Sequence, residues 1–338
     1  MSRLLDLAPN HRPLALMLEG QLEEVAYIIE RQLASDLPAV NALCKHVERY
    51  RGKMLRPTMV MLSGLAVQTA TDANGDPDGT LTEAHRVVAA VAELIHMATL
   101  VHDDVLDEAE VRRRGATVNH LRGNETAVML GDYLISNAFH LCSTLGDPAI
   151  NLALGEVTNT LCAGELLQLH HREHYGLDEQ TYFEIVARKT ASLIGECCRQ
   201  GARLSGATPE TAERLRQVGI SLGIAFQVQD DLLDLIGEQA VVGKSLGRDL
   251  DKGKLTLPLI LHLGEIGATE RGDVLDMIRQ RDLTSLRGRL IESGAVDASR
   301  ARATALVDEA RLKLGMLPDN AARELLDTLA LSLVDRSF

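Results

Sequence analysis

Asp103-Asp104-Val105-Leu106-Asp107 and Asp230-Asp231-Leu232-Leu233-Asp234 are two copies of one five-residue pattern, and each ends an apolar run that reads as helix. Positions i and i+4 share a helix face, so Asp103 and Asp107 point one way, as do Asp230 and Asp234. Carboxylates brought together repel unless a cation sits between them. Mg²⁺ is such a cation, and it prefers one or two carboxylates together with the oxygens of a substrate phosphate. The pattern therefore suggests a diphosphate substrate. It also constrains the fold, because the two clusters are useful together only if they face one cavity. That argues against a domain break between them.

The rest of the chain reads as helix nearly throughout. Prolines fall almost entirely at joints, and Thr208-Pro209-Glu210 has the form of an N-cap with proline in the first turn. The segment TDANGDPDG, residues 71–79, is the clearest loop, and residues 237–254 form a second. Residues 87–106 and 215–236 are apolar on more than one face, which places such helices at the centre of a bundle. Aromatic residues make up only 3% and tryptophan is absent, so Leu, Ala, Val and Ile do the packing. Strand-like alternation is scarce, and no repeat of solenoid period is visible. The expected architecture is all-α: one large helical bundle with a central active-site cavity, residues 1–338 forming a single domain.

A net charge of −13 argues against a nucleic-acid partner and against attraction to anionic lipid. The run from Val87 to Val101 carries Glu93 and His96 and is short for a bilayer span, so no stable membrane insertion is expected. The N-terminus lacks a secretory apolar region. Five cysteines, without CxxC spacing, read as reduced thiols. Together these features predict a cytoplasmic protein.

By helical spacing His96, Thr99, Asp103 and Asp107 fall on one stripe, followed by Arg112-Arg113-Arg114-Gly115. Taken alone, this reads first as a solvated helix end or a surface ion-pair network; the second cluster shifts the balance toward chemistry. There Gln227 stands at i−4 to Asp231, and Lys244, Arg248, Lys252 and Lys254 follow in a glycine-containing loop, which alone is as well a solvated charged loop as one that closes over phosphate oxygens. Lys53 and Arg56 precede a helical segment, where surface charge is the plain alternative. Lys189-Thr190 lies among apolar neighbours, where a lysine needs an ion-pair partner or a ligand. His170, His171 and His174 read as a solvated helix end rather than a zinc site. Adjacent Cys197 and Cys198 read as packing, and Gly164-Glu165-Leu166-Leu167-Gln168 as support for the cavity.

In this order and spacing, GKxxRP (from Gly52), ELIH (from Glu93), the first DDxxD with its arginine pair, GELLQ, Lys189-Thr190, FQxxDDxxD (from Phe226) and GKxxGxDxxxGKxTLP (ending at Pro258) resemble the all-trans isoprenyl diphosphate synthases, most closely the long-chain polyprenyl type. The resemblance implies the all-α isoprenoid synthase fold and a homodimer. It implies ionisation of an allylic diphosphate, attack by the double bond of isopentenyl diphosphate, and loss of a proton. The implied metal residues are Asp103, Asp104, Asp107, Asp230 and Asp234, for about three Mg²⁺ ions; Asp231 is implied among the catalytic residues, outside the metal set. Arg112, Lys189, Lys244 and Lys254 would hold the allylic diphosphate. Lys53, Arg56, His96 and Arg113 would hold isopentenyl diphosphate. Thr190 and Gln227 would stabilise the cation. One departure is Arg114, which replaces the glycine that often follows the arginine pair.

Family members set product length with bulky residues just upstream of the first aspartates. Here those residues are Ala98 and Thr99, both small. A helix rises about 5.4 Å per turn, on the order of one isoprene unit, so a tunnel open past Ala98 implies a product longer than about 20 carbons. Phe139 is the candidate floor. The alternatives are a short-chain farnesyl or geranylgeranyl diphosphate synthase, a terpene cyclase, and a non-catalytic subunit of a heteromeric synthase. A cyclase needs no second diphosphate site, and a non-catalytic subunit would be expected to lose aspartates or cations that are present here.

Overall fold

The computed structural model describes residues 12–69, 80–113, 115–237 and 247–334. Lys244 and Arg114 lie outside the described residues. In order, the helices are α1 (Arg12–Leu33), α2 (Pro38–Val47), α3 (Leu55–Ala66), α4 (Glu83–Leu106), α5 (Val118–Arg122), α6 (Asn124–Ser143), α7 (Pro148–His170), α8 (Glu179–Val186), α9 (Ser192–Leu204) and α10 (Pro209–Ile236). They continue with α11 (Arg248–Asp251), α12 (Leu257–Glu265), α13 (Ala268–Gln280), α14 (Leu283–Glu292), α15 (Ala295–Leu314) and α16 (Ala321–Val334). The fold is all-α, as expected. Among the described residues the strands are β1 (Val111–Arg112) and β2 (Gly115–Ala116), an antiparallel pair with Arg112 opposite Gly115. Sequence reading gave no sign of this hairpin, because two-residue strands carry no alternation. Prolines sit in the first turns of several helices: Pro38 opens α2, Pro148 opens α7 and Pro209 opens α10. The Thr208 hydroxyl accepts from the Thr211 amide at 3.2 Å, the N-cap that the sequence predicts.

The chain divides into two compact units, each drawn from separate stretches of sequence. One comprises Met1–Thr158, Glu196–Arg216 and Met316–Leu326, and the other Asn159–Gly195, Gln217–Gly315 and Asp327–Phe338.

At the centre of the first unit is α4. Residues 87–95 are buried without a break, so this helix is covered on every side; α1, α3 and α6 pack against it. The sequence expectation of a run too short for a bilayer is corrected here. Within the described residues α4 is 24 residues long and, by length and composition, passes as a membrane span. Its apolar surface is spent inside the protein: 72% of the apolar window is buried.

The start of α4 is held by a capping box in which His85 takes the place usually filled by Glu or Gln. The Thr82 amide donates to His85 Nδ1 at 3.1 Å. That bond assigns the tautomer: the proton is on Nε2, facing the Gly201 carbonyl at 3.2 Å and the Ser205 hydroxyl at 3.0 Å. Gly64 of α3 lies against the same ring; a Cβ there would come within 2.9 Å of His85 Nε2 and of Ser205 Oγ. Within the second unit, α12 packs on α15 and on α8, and Arg311 Nε and Nη2 donate to the Asp327 carboxylate at 2.7 and 3.0 Å.

Burial pushes His85 down to about 4 from an ordinary histidine value of 6.5. The folded chain therefore binds fewer protons than the unfolded chain between those values. Stability is complete above pH 6.5 and falls as pH drops toward 4, by about 3 kcal/mol from this group. His85→Gln supplies the ordinary capping-box partner without a titrating ring. Urea unfolding at pH 7 and at pH 4.5 is expected to give the wild type a steeper acid loss than the variant. Parallel losses would remove His85 as the cause.

Candidate active site

In the first unit the three aspartates at the end of α4 divide into two environments. Asp103 and Asp107 are half-buried on the shared face, and Asp107 caps the helix, its amide donating to the Asp103 carbonyl at 2.8 Å. Asp104, about 100° round the helix, turns inward and is 1% exposed. Its Oδ1 accepts from Arg112 Nε at 2.8 Å, and the Arg112 guanidinium lies 5.9 Å from the centre of the Tyr50 ring. Asn119 Nδ2 donates to the Asp104 carbonyl at 3.1 Å. Burial raises the Asp104 pKa, opposed by Arg112. Burial and the neighbouring Asp104 carboxylate push the Tyr50 phenol up to about 12. Asp104 and Arg112 thus form a pair within the protein, while Asp103 and Asp107 present the outward face.

A cationic group gathers beside them. Arg113 follows β1 at a φ of 47°, in the loop between the two hairpin strands; the tight reversal calls for a left-handed residue there. Its guanidinium donates to the Tyr50 carbonyl. A Cβ on Gly52 would collide with that guanidinium, so Gly52 is the residue that admits it. Arg56 is half-buried and Lys53 exposed. Glu93, 2% exposed, lies in the field of Arg56, Arg113 and Arg51; these counter the rise that burial imposes on its pKa. Burial first, then the charges of Arg56, Arg113 and Arg112, hold the His96 imidazole well below its ordinary value. His96 is therefore a neutral group surrounded by arginines. Lys53, Arg56, His96 and Arg113, scattered over 61 positions from first to last, all belong to this one unit.

The chain-length candidates are in the same unit. Ala98 is fully buried, and Thr99 is half-buried with its hydroxyl donating to the His96 carbonyl at 2.8 Å. On α6, Leu134 and Ala138 are fully buried and Phe139 half-buried.

The second unit carries the other cluster. Between α8 and α9 the chain makes a π-helical turn over Ala187–Ala191, which contains Lys189 and Thr190. Single π turns recur at functional sites because they rotate side chains out of the α-helical register. Two glycines admit this turn. A Cβ on Gly164 would come within 2.7 Å of the Lys189 amide, and one on Gly223 within 2.7 Å of Ala191 Cα. Lys189 Nζ donates to Gln168 Oε1 at 3.0 Å and pairs with Glu165. The GELLQ segment therefore supplies both the space for Lys189 and its partners, a supporting role in line with the sequence reading.

Thr190 Oγ1 donates to Gln227 Oε1 at 3.0 Å, and Gln227 Nε2 donates to Asp231 Oδ1 at 2.8 Å. Tyr182 donates its hydroxyl to Asp231 Oδ2 at 2.7 Å. Burial, then the charge of Asp249, pushes Asp231 up to about 8, while the hydrogen bonds from Tyr182 and Gln227 pull the other way and favour the ionised form. Asp230 and Asp234 are half-buried, and Asp234 Oδ2 accepts from the Asp249 amide at 3.1 Å. Lys189, Thr190, Gln227, Asp231, Asp249 and Lys254 line one cleft. Sequence reasoning missed Tyr182, and it met Asp249 only as the aspartate of GKxxGxDxxxGKxTLP, with no role of its own. Tyr182 stands in an unremarkable helix, and its only signal was a tyrosine in a chain with five. His171 Nδ1 lies 3.3 Å from His174 Nδ1, so the contact is at i,i+3, not the i,i+4 spacing of His170 and His174.

Among the described residues no three carboxylate, imidazole or thiolate groups are gathered as a closed metal cage. Asp103 with Asp107, and Asp230 with Asp234, instead offer pairs of hard oxygen donors. That donor set fits Mg²⁺, which keeps water and takes phosphate oxygens beside one or two carboxylates.

The polyprenyl synthetase family model matches residues 38–287. Octaprenyl diphosphate synthase of Escherichia coli is 36% identical over 316 residues, covering 92% of this chain and 94% of that protein. Among solved structures, a decaprenyl diphosphate synthase from Rhodobacter capsulatus superposes with a TM-score of 0.87 at 32% identity, covering 96% of this chain and 99% of the other. A polyprenyl synthase from Caulobacter crescentus, complexed with calcium and isoprenyl diphosphate, gives 0.85 at 32% identity, covering 96% and 97%.

The two environments of the first cluster predict two kinds of variant. Asp103→Ala is expected to lower turnover at saturating Mg²⁺ by at least about 100-fold. Asp104→Ala leaves Arg112 without its buried partner and is expected to cost about 2 kcal/mol of stability as well as activity. Turnover assays and thermal melts on both variants check the split; near-normal turnover of Asp103→Ala would remove it from the metal face.

Proposed function

The chain belongs to the polyprenyl synthetase family, and from that membership we propose that it extends an allylic diphosphate with isopentenyl diphosphate to an all-trans polyprenyl diphosphate longer than 20 carbons. The observation that carries this reading is the pair of aspartate clusters, each in company with its own set of cations and polar side chains. In the proposal both clusters serve one reaction. Mg²⁺, when bound, neutralises the diphosphate and stabilises it as a leaving group. Asp103, Asp107, Asp230 and Asp234 hold it, directly or through water. Asp104 contributes through Arg112, which it orients. Arg112, Lys189, Lys244 and Lys254 hold the allylic diphosphate, and Lys189 exchanges Glu165 for a phosphate oxygen.

Lys53, Arg56, His96 and Arg113 hold the diphosphate of isopentenyl diphosphate. A neutral His96 donates one hydrogen bond there, and the arginines supply the charge. The oxygens of Thr190 and Gln227 face the allylic cation as it forms. The double bond then attacks, and the departed diphosphate takes the proton. Small Ala98 and Thr99 put little bulk in the way of a chain growing along α4, with Phe139 limiting its length. The long-chain names of relatives such as the E. coli octaprenyl enzyme support that reading. Exposed Val128 and Met129 on α6, 41% and 65% accessible, support a homodimer.

Farnesyl and isopentenyl diphosphates with purified enzyme and Mg²⁺ are expected to give products beyond 20 carbons on reversed-phase chromatography. Products that stop at 15 or about 20 carbons would leave the family chemistry standing and sink the long-chain reading. Ala98→Phe is expected to shorten the product; an unaltered distribution would show that Ala98 does not line the path.

A further inference from the structure

Asp231 accepts a hydrogen bond at each of its oxygens, from Tyr182 at Oδ2 (2.7 Å) and from Gln227 Nε2 at Oδ1 (2.8 Å). An amide has a donor end and an acceptor end, and its neighbours decide which way it points. Against the ionised carboxylate that both donors favour, a reversed Gln227 would set its carbonyl oxygen on the Asp231 oxygen, acceptor against acceptor. The carboxylate therefore holds the nitrogen end, and the oxygen end is left to Thr190 at 3.0 Å. Thr190 in turn commits its single proton to Gln227, so what its hydroxyl has left to offer is lone pairs. The order Tyr182, Asp231, Gln227, Thr190 has one direction of donation at each link. Every one of these residues borders the same cleft.

We infer that Tyr182 is a positioning residue for the ionisation step: by holding Asp231, it aligns the Gln227 carbonyl and the Thr190 hydroxyl with their oxygens toward the developing allylic cation. This rests on the proposed placement of Thr190 and Gln227 at that cation. Tyr182 is 4% exposed and touches neither diphosphate in the proposal. Aligned oxygen dipoles act on charge that exists only as the bond to diphosphate breaks, so their loss lowers kcat and leaves ground-state binding alone. Removing the phenol oxygen frees one side of Asp231, and the amide and hydroxyl beyond it lose their single orientation.

The test is Tyr182→Phe in the full-length enzyme, alone and combined with Thr190→Val. Tyr182→Phe is expected to lower kcat about 10-fold with KM for both diphosphates unchanged. The double variant is expected to be no slower than Thr190→Val, because residues acting as one unit are lost together. Additive losses, or a normal kcat for Tyr182→Phe beside a slow Thr190→Val, would overturn the positioning role. If Thr190→Val and Gln227→Ala both turn over normally, the underlying placement of the cation fails instead. Should Tyr182→Phe not fold, Asp231→Asn replaces it in the same cycle: its side-chain nitrogen accepts no hydrogen bond, so one of the two donors loses its acceptor, and the same non-additivity with Thr190→Val is expected.

Discussion

Like charges on rigid helices repel unless something positive joins them, and the structure is arranged around that fact. An α-helix brings the first and last aspartates of each cluster onto one face and leaves the middle one to point elsewhere. In both clusters the middle aspartate is the buried one: Asp104 at 1% exposure and Asp231 at 5%. Each has found internal partners, Arg112 for Asp104 and Tyr182 with Gln227 for Asp231. The outer pairs stay half-buried, and their carboxylates are the hard oxygen donors that a divalent ion takes together with phosphate. One motif therefore makes two environments: its outer residues stay half-buried, and its inner residue orders neighbouring side chains.

Ordering those side chains takes backbone as well as charge. The π turn at Ala187–Ala191 presents Lys189 and Thr190 beside the cleft, and it fits only because Gly164 and Gly223 have no Cβ. Gly52 does the same for Arg113. At the start of α4, His85 ties a helix that carries Glu93, His96 and the first aspartates to Gly201 and Ser205. A burial-lowered pKa is the sign that this tie depends on a neutral imidazole.

The helical fold was legible because apolar periodicity and prolines at joints act locally, over one or two turns. The buried helix at residues 87–106, the N-cap at Thr208 and the sharing of a face by Asp103 and Asp107 all follow from such short spacings. The hairpin at Val111–Ala116 was not legible, since two residues per strand give no pattern. Nor was Tyr182 as a partner of Asp231, because the two are 49 positions apart and only packing brings them together. The histidines at the end of α7 read as a solvated helix end, and there the chain leaves the helix and His171 meets His174.

Sequence alone determined the family, the all-helical class and the residue types available for a metal and two diphosphates. These depend on identity and short-range spacing, which a linear chain records in full. Tertiary structure decided which aspartate of each cluster turns inward, which way Gln227 points, and that His96 stays neutral among arginines. Each of those outcomes depends on what lies across a contact from a distant part of the chain, on burial, a facing charge or an occupied lone pair. No local pattern encodes them.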